Sequence, residues 1–100
     1  MTTVPVTPSD GSPEHHLHAQ AWLEPGDTIH VRLDSHANVL LMDDANYAFY
    51  AKGEPFKYSG GWVTRPEVTL WPPRAGSWHV VIDLGDDEGR VSTSVQILRG

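Results

Sequence analysis

Hydrophobic and polar residues alternate along most of the chain from about residue 14 onward. In the segment HHLHAQAWL, every second residue from Leu17 to Leu23 is apolar, which is typical of a strand with one buried face. The same alternation recurs in TIHVRLD, WHVVIDL and RVSTSVQIL. Seven or eight such short strands, separated by turns rich in Gly and Pro, predict an all-β fold. The pattern fits an antiparallel sandwich or a small barrel, and we interpret it as a single antiparallel β-sandwich of jelly-roll-like character.

Two of these segments also predict where their side chains lie. In WHVVIDL, alternate residues should lie on opposite faces of the strand. The inward set is Trp78, Val80, Ile82 and Leu84, and the outward set is His79, Val81 and Asp83. The segment NVLLM is apolar at nearly every position, which predicts a central strand of a sheet.

The alternation stops after NVLLM, where the pattern predicts one short helix near residues 44–52. Asp43 or Asp44 can cap its first turn by accepting backbone N–H bonds. Gly53 can end it in a left-handed conformation. Between these residues, ANYAFYAK places Tyr47 and Tyr50 on one helical face. Such a short helix needs to pack on the sheet to be stable.

The first thirteen residues differ in composition from the rest of the chain. They are rich in Thr, Ser and Pro and offer little to bury, so residues 1–13 are predicted to be a flexible tail before a domain spanning residues 14–100. This segment lacks the basic end and apolar core of a secretory signal. The sequence contains no Cys, which fits a reducing compartment, and we expect a cytoplasmic protein.

Charge and hydropathy bear on the possible partners. The formal net charge is −6 and the seven basic residues are scattered, so nucleic acid is not an expected partner. No apolar stretch approaches the ~20 residues that span a bilayer, so no membrane partner is expected. The sequence has neither a G-x-S-x-G nucleophile turn nor a phosphate-binding loop. The pair Gly60–Gly61 predicts a bulge or bend.

Histidines provide one candidate for catalysis. His16 and His18 are two residues apart on a predicted strand, a spacing that can chelate a metal ion. With His79, and with Glu24 between the two groups, they suggest a small cupin-like metal-dependent enzyme as the alternative function. The simpler interpretation is that His16 and His18 lie on the solvent-facing side of the sheet, beside the tail.

Acidic residues occur as two adjacent pairs. Asp86–Asp87 lies in GDDEG, which we interpret as a hairpin loop in which Asp is ordinary turn chemistry. Asp43–Asp44 lies at the start of the predicted helix, where capping occupies one acid and leaves the other without an assigned role.

The segment ANVLLMDDANYAFYAKG is therefore the main candidate site. Our first hypothesis is a non-enzymatic binding or sensing module that needs no cofactor and contacts a small ligand or a partner protein. Its candidate binding residues are Asn38, Asp43, Asp44, Asn46, Tyr47, Tyr50 and Arg65. A third interpretation is an oligomerising scaffold, which would use exposed strand edges to form a homo-oligomer.

Three segments carry a resemblance to a known family. LEPGDTIHVRLDSHANVLLMDDANYAFYAKG, KYSGG and GSWHVVIDLG occur in this order, and over about His18 to Leu98 the chain resembles the bacterial family called domain of unknown function 1883. Members of that family occur alone or joined to a Toll/interleukin-1-receptor-like (TIR) domain. The resemblance implies a compact β-sandwich without an assigned biochemical role, and a link to TIR-type bacterial defence signalling.

Overall fold

The structure is a computed structural model that describes residues 2–9, 16–34, 36–83 and 93–100. Within these ranges it contains nine strands and one helix. In chain order they are β1 (Thr2–Val4), β2 (Thr7–Ser9), β3 (His16–Leu23), β4 (Thr28–Leu33), β5 (Ala37–Asp43), α1 (Asp44–Ala51), β6 (Ser59–Val63), β7 (Glu67–Leu70), β8 (Gly76–Asp83) and β9 (Thr93–Leu98).

The strands form two antiparallel sheets packed face to face. One sheet has the order β2-β3-β8-β5-β6 and the other has the order β1-β9-β4-β7. The described part of the chain therefore confirms the predicted all-β sandwich with one short helix.

The main core lies between the two sheets, and its members follow the predicted alternation. Strand β4 contributes Ile29, Val31 and Leu33, and β8 contributes Trp78, Val80 and Ile82. The period-two pattern identified these inward faces correctly because each strand buries one face against the opposite sheet. Leu84 and the GDDEG loop, with Asp86–Asp87, lie outside the described residues.

Strand β5 is buried on both faces. Ala37, Val39 and Leu41 belong to the main core, whereas Leu40 and Met42 pack with Tyr50 and Val81 in a second apolar cluster beneath α1. This arrangement explains the continuous apolar pattern of β5, which lies between β8 and β6 as predicted for a central strand.

The N-terminal residues differ from the predicted flexible tail. Residues 2–4 pair with β9 and residues 7–9 pair with β3, so this segment adds one edge strand to each sheet. Val4 is buried in the main core. Edge pairing depends mainly on backbone hydrogen bonds, so a segment with few apolar residues can still join a sheet.

Helix α1 (Asp44–Ala51) lies within the predicted range near residues 44–52. The Asp43 carboxylate caps it by accepting the backbone N–H of Asn46 at 2.9 Å. Gly53 follows with a φ of 75°, a value that favours glycine. The helix has eight residues, and in the described ranges no helix is both long and apolar enough to cross a membrane.

The glycine pair lies inside β6, where both residues have positive φ. A Cβ atom on Gly60 would lie 2.1 Å from the carbonyl oxygen of Val39 in β5. Only glycine allows this close approach of the two strands.

Candidate functional site

The outer face of the five-stranded sheet is the region where chemically active side chains converge. Helix α1 lies across this face, and it covers two histidines that the sequence placed toward solvent. His16 is 3% exposed and His79 is 5% exposed. The expectation that His16 lies on a solvent face is therefore wrong, because alternation along a strand does not reveal a helix packed on its polar side.

Three side chains form a hydrogen-bonded chain at the N-terminal end of α1. Asp44 Oδ1 lies 2.5 Å from His79 Nε2, and His79 Nδ1 lies 2.6 Å from His18 Nε2. The two imidazole planes differ by only 12° and their centroids are 4.9 Å apart, so the rings meet edge to edge. We call Asp44, His79 and His18 the histidine relay.

The ring of Tyr47 covers the histidine relay from the helix side. Its centroid lies 4.3 Å from that of His18 and 4.3 Å from that of His79. The Tyr47 hydroxyl is 3.3 Å from Nε2 of His16. Since Asp44 and Tyr47 belong to α1 and the histidines belong to β3 and β8, these contacts fasten the helix to the sheet.

The surroundings of the histidine relay perturb its ionisation. Burial, followed by the proximity of His79 and His16, lowers the pKa of His18 to about 4. The hydrogen bond from His79, with a further one from Ser77, lowers the pKa of the Asp44 carboxyl. The relay therefore combines an ionised carboxylate with a neutral His18 at neutral pH, a state that satisfies every hydrogen bond described above.

The geometry does not fit the alternative metal site. Two nitrogens on one zinc ion, each about 2.0–2.1 Å from it, lie about 3.3 Å apart at the tetrahedral angle. The facing nitrogens of His18 and His79 are 2.6 Å apart and bonded to each other. Glu24 follows the far end of β3, beyond Leu23. Within the described ranges, no group of three or more His, Cys, Asp or Glu residues is arranged to hold a metal ion.

Asp43 and Asn46 form the cap of α1. Besides the backbone N–H of Asn46, the Asp43 carboxylate accepts a hydrogen bond from the Asn46 side chain at 2.8 Å. It also forms an ion pair with Arg74 at 2.5 Å. These donors, the backbone N–H of Asn46 first, lower the pKa of Asp43. The Arg74 guanidinium also lies 5.0 Å from the ring centre of Trp78. Asn46 accepts the backbone N–H of Lys57 at 2.7 Å, so its contacts serve the local structure.

Tyr50 connects the helix to the opposite end of β8. Its hydroxyl donates to Asp83 Oδ2 at 3.3 Å, and its side chain is buried. Burial first, and the negative Asp83 second, raise the pKa of Tyr50. The phenol is therefore a hydrogen-bond donor throughout the physiological range.

An open groove of about 380 Å³ lies between the C-terminal end of α1 and the sheet. We call it the aromatic groove. Its lining residues are Asn38, Leu40, Tyr50, Gly53, Glu54, Phe56, Tyr58 and Asp83.

The rings of the aromatic groove form a continuous row. The centroid of Phe56 lies 5.1 Å from that of Tyr50 and 5.4 Å from that of Tyr58. Tyr58 is 52% exposed. On the floor, Asn38 pairs with Asp83 on one side and with Trp62 on the other. The groove thus combines exposed aromatic surface with carboxylate and amide groups.

The structure divides the predicted binding residues into three places. Asn38 and Tyr50 line the aromatic groove. At the other end of the helix, Asp43 and Asp44 border a smaller cavity of about 220 Å³. There Asn46 belongs to the helix cap, and Tyr47 covers the histidine relay. Arg65 lines a separate cavity near the start of β5. Asp43 lies at the other end of this strand, whose length from Ala37 to Asp43 is roughly 20 Å. Arg65 is therefore not part of the same site.

Six of the eight groove residues were absent from the predicted binding set: Leu40, Gly53, Glu54, Phe56, Tyr58 and Asp83. The sequence carried a partial signal for them. Five of the nine aromatic residues fall between Tyr47 and Tyr58, and the alternation in WHVVIDL placed Asp83 outward. No pattern along the chain, however, indicated that β8 and the segment after α1 enclose one groove.

Comparison with known proteins places the chain in a family but does not supply an activity. No curated protein and no solved structure matches it. The sequence model of the family described as "Domain of unknown function (DUF1883)" matches residues 15–100. This match covers most of the chain, including every residue of the histidine relay and the aromatic groove. The chain therefore belongs to the domain of unknown function 1883 family.

Proposed function

We propose that this protein is a non-enzymatic binding module and that the aromatic groove is its binding site. The observation that carries the proposal is the composition of the groove. Three aromatic rings in a row, of which Phe56 contacts the other two and Tyr58 is half-exposed, stand beside Asn38 and Asp83. Binding sites typically combine apolar and aromatic walls with a few polar groups that orient the ligand.

The histidine relay has a structural role in this proposal. Its contacts fix α1 on the sheet, and Tyr50 on the same helix forms one wall of the aromatic groove. A wall held in place before the ligand arrives reduces the entropic cost of binding. The buried position of His79 and the cover provided by Tyr47 favour this role over proton transfer to a substrate.

We further propose that the module works in the cytoplasm and serves TIR-type bacterial signalling. The first point is supported by a sequence without Cys. The second is supported by the resemblance to proteins in which this domain is joined to a TIR domain.

A thermal-shift screen with nucleotides, sugars, amino acids, amines and metal ions tests the proposed function. A ligand at about 100 times its Kd adds about 2.7 kcal/mol to the free energy of unfolding. We expect at least one organic compound to raise the unfolding midpoint of the wild-type protein. The same compound should have a reduced effect on Tyr58→Ala, which removes a half-exposed ring from the groove.

Trp71→Ala is the matched control, because Trp71 is 64% exposed and does not line the groove. This variant should respond to the compound as the wild type does. A screen without any organic ligand, or ligands that stabilise Tyr58→Ala fully, would contradict the proposed function. Stoichiometric metal binding lost in His18→Ala would instead support the metal-dependent alternative.

A further inference from the structure

Exposed aromatic surface continues beyond the aromatic groove, along the outer face of the five-stranded sheet. Trp62 is 59% exposed and pairs in register with Asn38 of β5. Tyr58 directly precedes β6, lines the groove together with Asn38, and is 52% exposed. Because residues an even number of positions apart lie on the same face of a strand, Trp62 and Tyr58 share this face. Four positions separate them, which corresponds to roughly 13 Å along an extended strand.

Gly60 lies between the two exposed rings and leaves the surface there without a side chain. A Cβ atom at this position would lie 2.1 Å from the carbonyl oxygen of Val39, so no other residue fits it. Because roughly 13 Å separates Tyr58 from Trp62, a compound of single-ring size reaches only one of them. A longer ligand can contact both rings across Gly60.

The polar groups near the two rings favour a ligand that both donates and accepts hydrogen bonds. Asn38 lies between Trp62 of β6 and Asp83 of β8, and it is partly exposed. Its amide donates through the NH2 group and accepts through the carbonyl oxygen, whereas the carboxylate of Glu54, exposed on the rim, only accepts. Asp83 is already bonded to Tyr50, so Asn38 and Glu54 are the groups that meet the ligand.

A neutral sugar chain has the chemistry that these groups require. The C–H bonds on one face of a sugar ring are weakly positive and pack on the negative face of an aromatic ring, and sugar hydroxyls both donate and accept hydrogen bonds. A proline-rich segment also packs on aromatic rings, but proline has no backbone N–H to donate to Glu54. A phosphorylated ligand would be repelled by the formal net charge of −6.

We infer that the aromatic groove and Trp62 together bind a neutral oligosaccharide, with one sugar ring on Tyr58 and another on Trp62. This inference rests on the proposed function, adds the class of ligand and extends the binding site to Trp62. The hydroxyls of the sugar chain bond to Asn38 between the two rings and to Glu54 on the rim of the groove.

Titrations of the full chain followed by NMR test the inference with four trisaccharides: cellotriose, maltotriose, xylotriose and triacetylchitotriose. Each is compared with its own monosaccharide, and a capped hexaproline peptide is titrated separately. We expect at least one trisaccharide to bind with a Kd of about 1 mM or below. Its monosaccharide should bind about tenfold more weakly, because it contacts only one of the two rings. Hexaproline should not bind.

Substitution of single aromatic residues completes the test. Trp62→Ala is the decisive variant, because Trp62 is exposed and does not line the groove. This change should leave folding undisturbed and weaken the trisaccharide to about the affinity of its monosaccharide. Tyr58→Ala should weaken the trisaccharide about tenfold as well. Trp71→Ala is the matched control, since Trp71 is equally exposed but follows β7 in the other sheet, and it should bind as the wild type does.

Failure of all four trisaccharides to bind, or a trisaccharide affinity that Trp62→Ala leaves unchanged, would overturn the inference. Binding of hexaproline in place of any trisaccharide would overturn the sugar as the ligand and favour a proline-rich partner. If the thermal-shift screen still found another organic ligand that depends on Tyr58, the proposed function would stand without the inference. A screen without any ligand that depends on Tyr58 would overturn the proposed function itself.

Discussion

Mild acid should destabilise the protein through His18. The pKa of this imidazole is lowered from 6.5 to about 4 in the folded state, first by burial and then by His79 and His16. Between these two values the unfolded chain binds a proton that the folded protein excludes. The free energy of unfolding therefore falls as the pH falls from 6.5 towards 4, whereas His18 has no effect on it above this window.

The size of this loss of stability follows from the pKa shift of His18. A pKa lowered from 6.5 to about 4 corresponds to at most about 3.5 kcal/mol. His18 is only partly buried, so water screens part of this and we expect a loss of about 1–2 kcal/mol between pH 7 and pH 4.5.

Carboxylates act in a lower pH range. The pKa values of Asp27, Asp43 and Asp44 are lowered below the ordinary 3.8, chiefly by hydrogen bonds. Their contribution is therefore present above pH 3.8 and is lost only as the pH falls further. Between pH 4 and pH 6.5, a change in the free energy of unfolding can therefore be assigned to His18 and not to these three acids.

Urea unfolding followed by tryptophan fluorescence at several pH values measures this effect. His18→Gln cannot titrate but keeps an amide donor for His79, so its free energy of unfolding should change less between pH 7 and pH 4.5. His30→Gln is the control, because His30 lies on β4 in the other sheet, and it should retain the wild-type acid dependence. A wild-type stability that is constant over this range, or an equal loss in His18→Gln, would refute the reasoning.

Three further substitutions or deletions test the fold by urea unfolding. Trp78→Ala should cost about 3–5 kcal/mol of unfolding free energy because the ring is buried in the main core. Trp71→Ala removes an exposed ring and should change the stability by less than about 0.5 kcal/mol. Equal losses would mean that the inward and outward faces of β8 are misassigned. Gly60→Ala should destabilise the protein by more than Gly53→Ala, because only the former forces a Cβ against Val39; the reverse order would argue against the β5–β6 pairing. Deleting residues 1–9 should lower the unfolding midpoint because both sheets lose an edge strand. An unchanged midpoint would support the prediction that this segment is a flexible tail.

Much of the sandwich was predictable because its strands bury one face and expose the other. The alternation in WHVVIDL separated Trp78 and Ile82 from His79 and Asp83, as the structure has them. The ends of α1 were also predictable, since Asp43 and Gly53 perform local functions that depend on few neighbours. Asp44, which capping left without a role, binds His79.

The candidate site was less predictable because it depends on contacts between distant segments. His18 and His79 are 61 positions apart, and Tyr50 meets Asp83 across 33 positions. Alternation identifies which face of a strand is polar, but it cannot show that a helix covers that face. The same limit explains why Arg65 was grouped with residues at the other end of β5.

The most direct test of the proposed binding site is an NMR titration of the ¹⁵N-labelled protein with the compound that gives the largest thermal shift. The amides of Asn38, Gly53, Tyr58 and Asp83 should shift together and saturate with one Kd, while amides around Arg65 remain unchanged. Saturable shifts that cluster around Arg65, or at the cavity beside Asp43 and Asp44, with none in the aromatic groove, would contradict the account.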